Sequence, residues 1–202
     1  MRYFIITIVT LVLIGCGGGG DKSGKKESVS SSIMAEKDLL TPAEQGGYGF
    51  EKIANDLGFI TYEWSQEKDK TFFGDPRAKK GGVINFIYSH FPNTMRIHGQ
   101  NSNLLLNSQT IAALCYESLL GLHPLNLEFI PRLASHWLVS EDKMTFKFRI
   151  NPDARWWDGM PVTSDDVIAT WDLMMDETIL DPSSQLVYQK YERPVAESKY
   201  IV

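Results

Sequence analysis

Met144-Thr145-Phe146-Lys147-Phe148-Arg149-Ile150 alternates apolar with polar side chains, and Thr163-Ser164-Asp165-Asp166-Val167-Ile168 soon after opens a run of a different period. In the first stretch Met144, Phe146, Phe148 and Ile150 share one side while Thr145, Lys147 and Arg149 share the other, the pattern of a half-buried strand. In the second, Thr163 offers a capping hydroxyl, and Asp166 stands where a carboxylate reaches back to the cap. Val167, Ile168, Trp171, Met174 and Met175 then recur at i, i+1, i+4, i+7 and i+8, an apolar stripe that reads as core. A strand and a helix in one continuous stretch, with no internal repeat, predict a mixed α/β body of the α+β kind.

Working outward, Asn151-Pro152-Asp153 breaks the strand, and Trp156-Trp157-Asp158-Gly159 forms a tight aromatic turn. Upstream, Ser140-Glu141-Asp142-Lys143 is a turn, and the stretch from Leu127 to Trp137 holds a short apolar piece and Pro131. Ser108 is placed to cap a helix whose inward face carries Ile111, Leu114, Cys115 and Leu119, ending at Gly121; Cys115 is then a small core residue. Gly81-Gly82 introduces Val83 to Tyr88, an apolar run that reads as a buried strand. Between these two elements, Ser89 to Asn107 is long, polar and irregular, and loops of that length inside a domain tend to carry function.

Nearer the N-terminus, Thr41-Pro42-Ala43-Glu44 begins a short helix, and Phe50, Ile53, Ala54 and Leu57 form a helical stripe stopped by Gly58. Asp181-Pro182-Ser183-Ser184 reads as polar and turn-prone, and Ser198 to Val202 as the start of a strand.

The first residues speak to compartment. Arg2 precedes an apolar run from Phe4 to Ile14 that is too short to span a bilayer as a helix and has the length of a signal-peptide core. It ends in Leu13-Ile14-Gly15-Cys16, the pattern of a bacterial lipobox, which predicts lipidation at Cys16 and a new N-terminus there. Gly17 to Gly20, and the Lys-, Ser-, Gly- and Glu-rich residues up to Ser32, cannot bury enough apolar surface to fold and read as a tether. The glycine run lacks both the preceding strand and the Gly-Lys-Ser/Thr ending that a phosphate loop requires.

Cys115 is the second of two cysteines, which leaves neither a disulfide framework nor a thiolate metal site. A formal net charge of −5 shows no basic surface for nucleic acid. No Gly-x-Ser-x-Gly elbow is present, and His90, His98, His123 and His136 show no i, i+4 pairing for zinc. The expectation is a protein that is not an enzyme and uses neither metal nor cofactor.

Tyr116-Glu117-Ser118-Leu119, Pro131-Arg132-Leu133-Ala134-Ser135-His136-Trp137, Ser140-Glu141-Asp142 and Thr145 to Arg149 stand in a fixed order. Trp157-Asp158-Gly159-Met160-Pro161-Val162-Thr163 and Asp165-Asp166-Val167 follow. In that order and spacing, Tyr116 to Trp171 resembles the signature region of extracellular solute-binding protein family 5, which includes dipeptide-, oligopeptide- and nickel-binding proteins of ABC importers. Gly74 to Gly82 is similar to a subgroup of that family.

The resemblance implies a two-lobe, hinged periplasmic-binding-protein-like fold of which this chain holds part of the first lobe. The expected organisation is a lipoprotein leader over 1–15, a flexible polar tether over 16–40, a helical and turn-rich lead-in over 41–80, and the N-terminal part of lobe I over 81–202. It also implies a substrate-binding lipoprotein of an ABC transporter, exported and lipid-anchored, facing the periplasm or cell exterior. Such a protein captures a peptide or other small solute and passes it to the permease subunits. A sensing or interaction lipoprotein on the same fold, feeding a signalling partner, is the alternative.

Within the signature, Trp137, Trp157, Asp158, Gly159, Thr163 and Asp166 make physical sense as scaffold: large apolar rings, a turn and a helix cap. Ligand contacts are expected instead in the long loop, at Asn93, Thr94, Arg96, Asn101 and Asn103.

Overall fold

The computed structural model describes residues 36–65, 77, 79, 81–85, 87, 92–102 and 110–202, all within the unit Ile33–Val202. The leader, the lipidation residue Cys16, most of the tether, Asn103 and Ser108 lie outside the described residues.

Strand periodicity builds two antiparallel hairpins. β1 (Leu120–Leu122) pairs with β2 (Phe129–Pro131), Leu120 opposite Pro131 and Leu122 opposite Phe129. β3 (Ala134–Val139) pairs with β4 (Phe146–Ile150), placing Trp137 opposite Phe148 and His136 opposite Arg149, with an irregularity between Ala134 and His136. The connection between β3 and β4 closes where the Ser140 amide donates to the Thr145 carbonyl at 2.9 Å and Lys143 takes a left-handed φ of 59°. Both flanks of this hairpin are occupied. Ile60 and Trp137 exchange backbone hydrogen bonds of 2.8 and 2.9 Å beside β3. Beside β4, Phe148 and Val202 exchange bonds of 2.8 and 3.1 Å, and Ile150 donates to the Tyr200 carbonyl at 2.8 Å.

Among the described residues, three α-helices accompany the strands: α1 (Ala113–Cys115), which continues π-helical residues 110–112; α2 (Ser164–Met175); and α3 (Pro182–Tyr188). Short 3-10 turns stand at Ala43–Gln45, Phe50–Lys52 and Glu177–Ile179. α2 starts where the Asp166 carboxylate accepts from the Thr163 amide at 2.8 Å. α3 starts at Asp181, whose carboxylate accepts from the Ser184 amide at 3.1 Å, with Pro182 as its first residue.

Because strand residues alternate, the β3–β4 sheet has two faces, and both are covered. One buries Phe50, Ala54, Phe59 and Ile201 with Ile53 and Leu138, so the segment from Thr41 to Phe59 lies across it. The other buries Ile150, Val162, Tyr200 and Val202, with Phe148, Leu119, Ala154 and Val167 of α2 packed on them. Tyr62, Ile130 and Trp137 continue that second face toward the β1–β2 hairpin.

Mixed helix and strand content agrees with the sequence, and several local expectations are corrected. Val83, Ile84 and Ile87 are exposed, Ile87 to 98%, and form no strand. An apolar run buries itself only against a partner ladder, and no described segment pairs with this one. The helix expected to end at Gly121 stops earlier: residues 110–112 are π-helical and continue into Ala113–Cys115, and then Tyr116 becomes extended at φ −127° and ψ 151° and the chain enters β1. Leu114 and Cys115 stand exposed, and Cys115 is not a core residue.

The Phe50–Leu57 stripe is a 3-10 turn followed by irregular turns. It buries Phe50 and Ala54 and leaves Leu57 exposed. Thr41 caps no helix; its hydroxyl donates to Asp38 at 2.7 Å. The stretch at Asp181, expected as a loop, is the start of α3.

Candidate functional site

The predicted ligand loop is described from Pro92 to Ser102. Asn93, Arg96 and Asn101 are exposed and Thr94 is half-buried. Thr94 Oγ1 accepts from the Arg96 amide at 3.2 Å and from Arg96 Nε at 3.4 Å, which joins two of the predicted residues in one turn. Asn101 sits in the left-handed region at φ 64°, a conformation asparagine tolerates better than most residues.

The loop is fastened to the start of α3. The Gly99 amide donates to the Asp181 carboxylate at 3.1 Å, and the Gln100 amide donates to the Ile179 carbonyl at 2.9 Å. The Ser102 hydroxyl turns back on the Gly99 carbonyl at 2.6 Å. His98 Nδ1 lies 3.7 Å from Asp181 Oδ2 and 3.4 Å from the Ser184 hydroxyl. Hydrogen bonds from the Ser183 hydroxyl first, then from Gly99 and Ser184, hold the Asp181 carboxyl well below the usual carboxylate range. Asp181 thus serves helix and loop together, and Asp181-Pro182 carried the signal for it: a capping carboxylate followed by proline.

Among the scaffold residues, Trp137 is buried on the sheet, and Gly159 turns the 154–162 segment at φ 88° with its amide bonded to the Trp156 carbonyl at 2.9 Å. Asp158 Oδ1 accepts from the Met160 amide at 3.0 Å. Trp157 differs from the expectation of a packed ring: it is 95% exposed, because the turn that places Asp158 and Gly159 points position 157 away from both packed faces.

Arg149, which alternation assigns to a solvated face, is 1% exposed. Its Nε donates to the Gly46 carbonyl at 2.8 Å, Nη2 to the Gly47 carbonyl at 2.9 Å, and Nη1 to the Ser135 hydroxyl at 2.7 Å. Glu51 Oε1 stands 3.2 Å from Nη1, and the Phe50 ring lies 5.2 Å below the guanidinium. This cluster supports the fold beneath the signature. Among the described residues no group of three or more His, Cys, Asp or Glu side chains is arranged to hold a metal, and no helix is long and apolar enough to cross a membrane.

Residues 128–202, which run from β2 through both covered faces of the sheet to the bridge between Ile201 and Arg149, match the family model described as bacterial extracellular solute-binding proteins, family 5 Middle. Sixty residues are 40% identical to a probable ABC transporter-binding protein of Deinococcus radiodurans, a stretch covering 30% of this chain and 10% of that relative. Identity is 34% over 55 residues to the periplasmic murein peptide-binding protein MppA of Escherichia coli, covering 27% of this chain and 10% of the relative. It is 41% over 46 residues to the dipeptide-binding protein DppE of Bacillus subtilis, covering 23% and 8%. The matched stretches thus span no more than a tenth of the curated relatives' own length. No solved structure gives a significant match.

Proposed function

We propose, from the match of residues 128–202 to the bacterial extracellular solute-binding proteins, family 5, that the chain is part of a substrate-binding lipoprotein of an ABC transporter. It captures peptide-like solutes outside the cytoplasmic membrane and delivers them to the permease. The observation that carries the reading is the family match over 128–202, and two of the relatives are named for peptide binding.

The loop from Ser89 to Asn107 supplies the ligand groups in this reading. Asn93, Asn101 and Asn103 each offer an amide donor and acceptor suited to a peptide bond, and Arg96 offers a planar pair of donors suited to a terminal carboxylate. Thr94 orients Arg96. A second lobe closing over the same ligand gains its differential affinity from contacts on both sides, so capture requires no chemistry on the solute. The lipid at Cys16 and the polar tether behind it keep the binding body at the membrane that houses the permease.

Native mass spectrometry of the full-length protein, gently purified from its own host, tests the reading. A copurifying short peptide is the expected result. Recovery of a sugar or a metal complex in its place, with no calorimetric response to di- to pentapeptides, overturns it.

A further inference from the structure

The segment from Thr41 to Phe59 is a strap across one face of the β3–β4 sheet, and what it covers is unusual. The buried Phe50 ring meets Phe59 edge-on at 5.2 Å and the His136 imidazole at 5.4 Å. Arg149, opposite His136 in the register, grips the strap at the Gly46 and Gly47 carbonyls. Two basic side chains therefore share one dry layer. A guanidinium keeps its proton, so the neutral member has to be the imidazole.

Burial first, and the Arg149 charge second, hold the His136 pKa below its ordinary value, against a weaker opposing pull from Glu51. The charged groups facing the imidazole are thus Arg149 on β4 and Glu51 on the strap. On its own strand the Ser135 hydroxyl stands 3.0 Å from Nδ1.

We propose that this layer is a pH-sensitive clasp: on acidification His136 takes up a proton, and the middle of the strap, Gly46 to Ala54, lifts from the sheet while the opposite face stays packed. The sign follows from linkage. A histidine whose folded pKa lies below its unfolded value of about 6.5 contributes stability that is fully present above about pH 6.5 and is lost as pH falls from there through the folded value. The strap's outer end stays fastened through that window. There Asp38 accepts from Lys199 Nζ at 2.6 Å and from the Tyr200 hydroxyl at 3.1 Å, and its carboxyl lies well below the usual carboxylate range. Acid opening is thus local, a bulge between two retained attachments.

The test is amide hydrogen exchange of the full chain, expressed as protection factors, between about pH 8 and about pH 5, the range in which imidazole alone changes charge. Protection at Phe50 to Ala54 is expected to fall by roughly tenfold or more relative to that at Ile150 and Val162. His136→Phe, which keeps a ring against Phe50 and cannot be protonated, is expected to abolish that relative fall. Glu51→Gln removes the one charge that favours the imidazolium in the closed clasp, so the folded His136 value falls further and the loss of protection on acidification is expected to deepen. Strap protection that tracks the sheet throughout, a His136→Phe protein that still opens at the wild-type pH, or a Glu51→Gln protein whose relative fall is no deeper than wild type's each overturns the clasp.

Discussion

Arg149 Nε reaches the Gly46 carbonyl at 2.8 Å across 103 residues of chain, and this contact ties the start of the folded body to its central strand. The carbonyls of Gly46 and Gly47 are buried by the same side chain that satisfies them, so removing it exposes the full cost of unpaired buried acceptors. Arg149→Met should destabilise the protein by roughly 3 kcal/mol or more. Arg149→Lys should recover less than half of that, since one ammonium cannot reproduce a planar fork on three partners. Urea denaturation of the three proteins measures both values, and a lysine variant as stable as wild type would sink the argument.

Trp157 and Trp137 make opposite predictions from the same residue type. Trp137 is buried on the sheet, and Trp137→Ala should cost about 3 kcal/mol or more through lost packing and a cavity. Trp157→Ala should stay within about 0.5 kcal/mol of wild type because its ring rests on nothing in this chain's cores. Paired thermal melts decide the matter.

Asp38 gives a pH dependence of ordinary carboxylate sign. The hydrogen bond from the Lys199 ammonium first, and then that from Thr41, hold its pKa well below the usual range. Its stabilisation is therefore fully present above the unfolded carboxylate pKa of about 3.9 and is lost as pH falls through the folded value. Asp38→Asn should cost about 1 kcal/mol at neutral pH, given that Lys199 is partly solvated, and the gap between variant and wild type should narrow as pH falls from about 3.9 through the folded value. Chemical denaturation at stepped pH reads this directly.

Gly99 holds φ at 96°, and a Cβ there would lie 2.9 Å from the Ile179 carbonyl oxygen. Gly99→Ala should cost roughly 2 kcal/mol and loosen the 92–102 loop from Asp181. If that loop carries the ligand groups, calorimetry on the full-length protein should show peptide affinity falling at least about tenfold. Unchanged affinity together with a lowered melting temperature would remove Asn93, Thr94, Arg96 and Asn101 from the binding site.

Cys16→Ser tests the proposed anchor. Wild type should partition into the detergent phase after export and the variant into the aqueous phase, since acyl chains supply the membrane affinity. Identical aqueous partitioning of both proteins would exclude lipidation.

What could be read from the sequence follows the reach of each physical rule. The hairpin at β3–β4, the turn at Gly159 and the helix after Thr163 depend on neighbours within a few residues, and alternation, a left-handed glycine and a carboxylate at the third helical position announce them. Alternation misplaces Arg149 because it presumes one solvated face, and the strap that covers this face comes from about a hundred residues away. Val83, Ile84 and Ile87 show the converse: apolar β-branched residues specify a strand only where a partner ladder exists. The Asp181 junction had its signal, a capping carboxylate before proline, but its second role, receiving the Gly99 amide, is a tertiary contact that no local pattern encodes.

The way the β3–β4 hairpin acquires its two flanks dictates an order of assembly. The hairpin itself needs only a short turn, whereas Ile60 on one side and Tyr200 to Val202 on the other arrive over long stretches of intervening chain. Loop closure of that length is entropically slow, so the hairpin forms early and its borders late. During vectorial synthesis the strap emerges before β4 and has nothing to settle on until Arg149 has been made, and Tyr200 to Val202 emerge later still. Apolar side chains of the strap, Phe50 and Phe59 above all, therefore wait uncovered while the ninety residues from Phe59 to Arg149 are added. That interval, more than the finished fold, is when this protein most needs a chaperone.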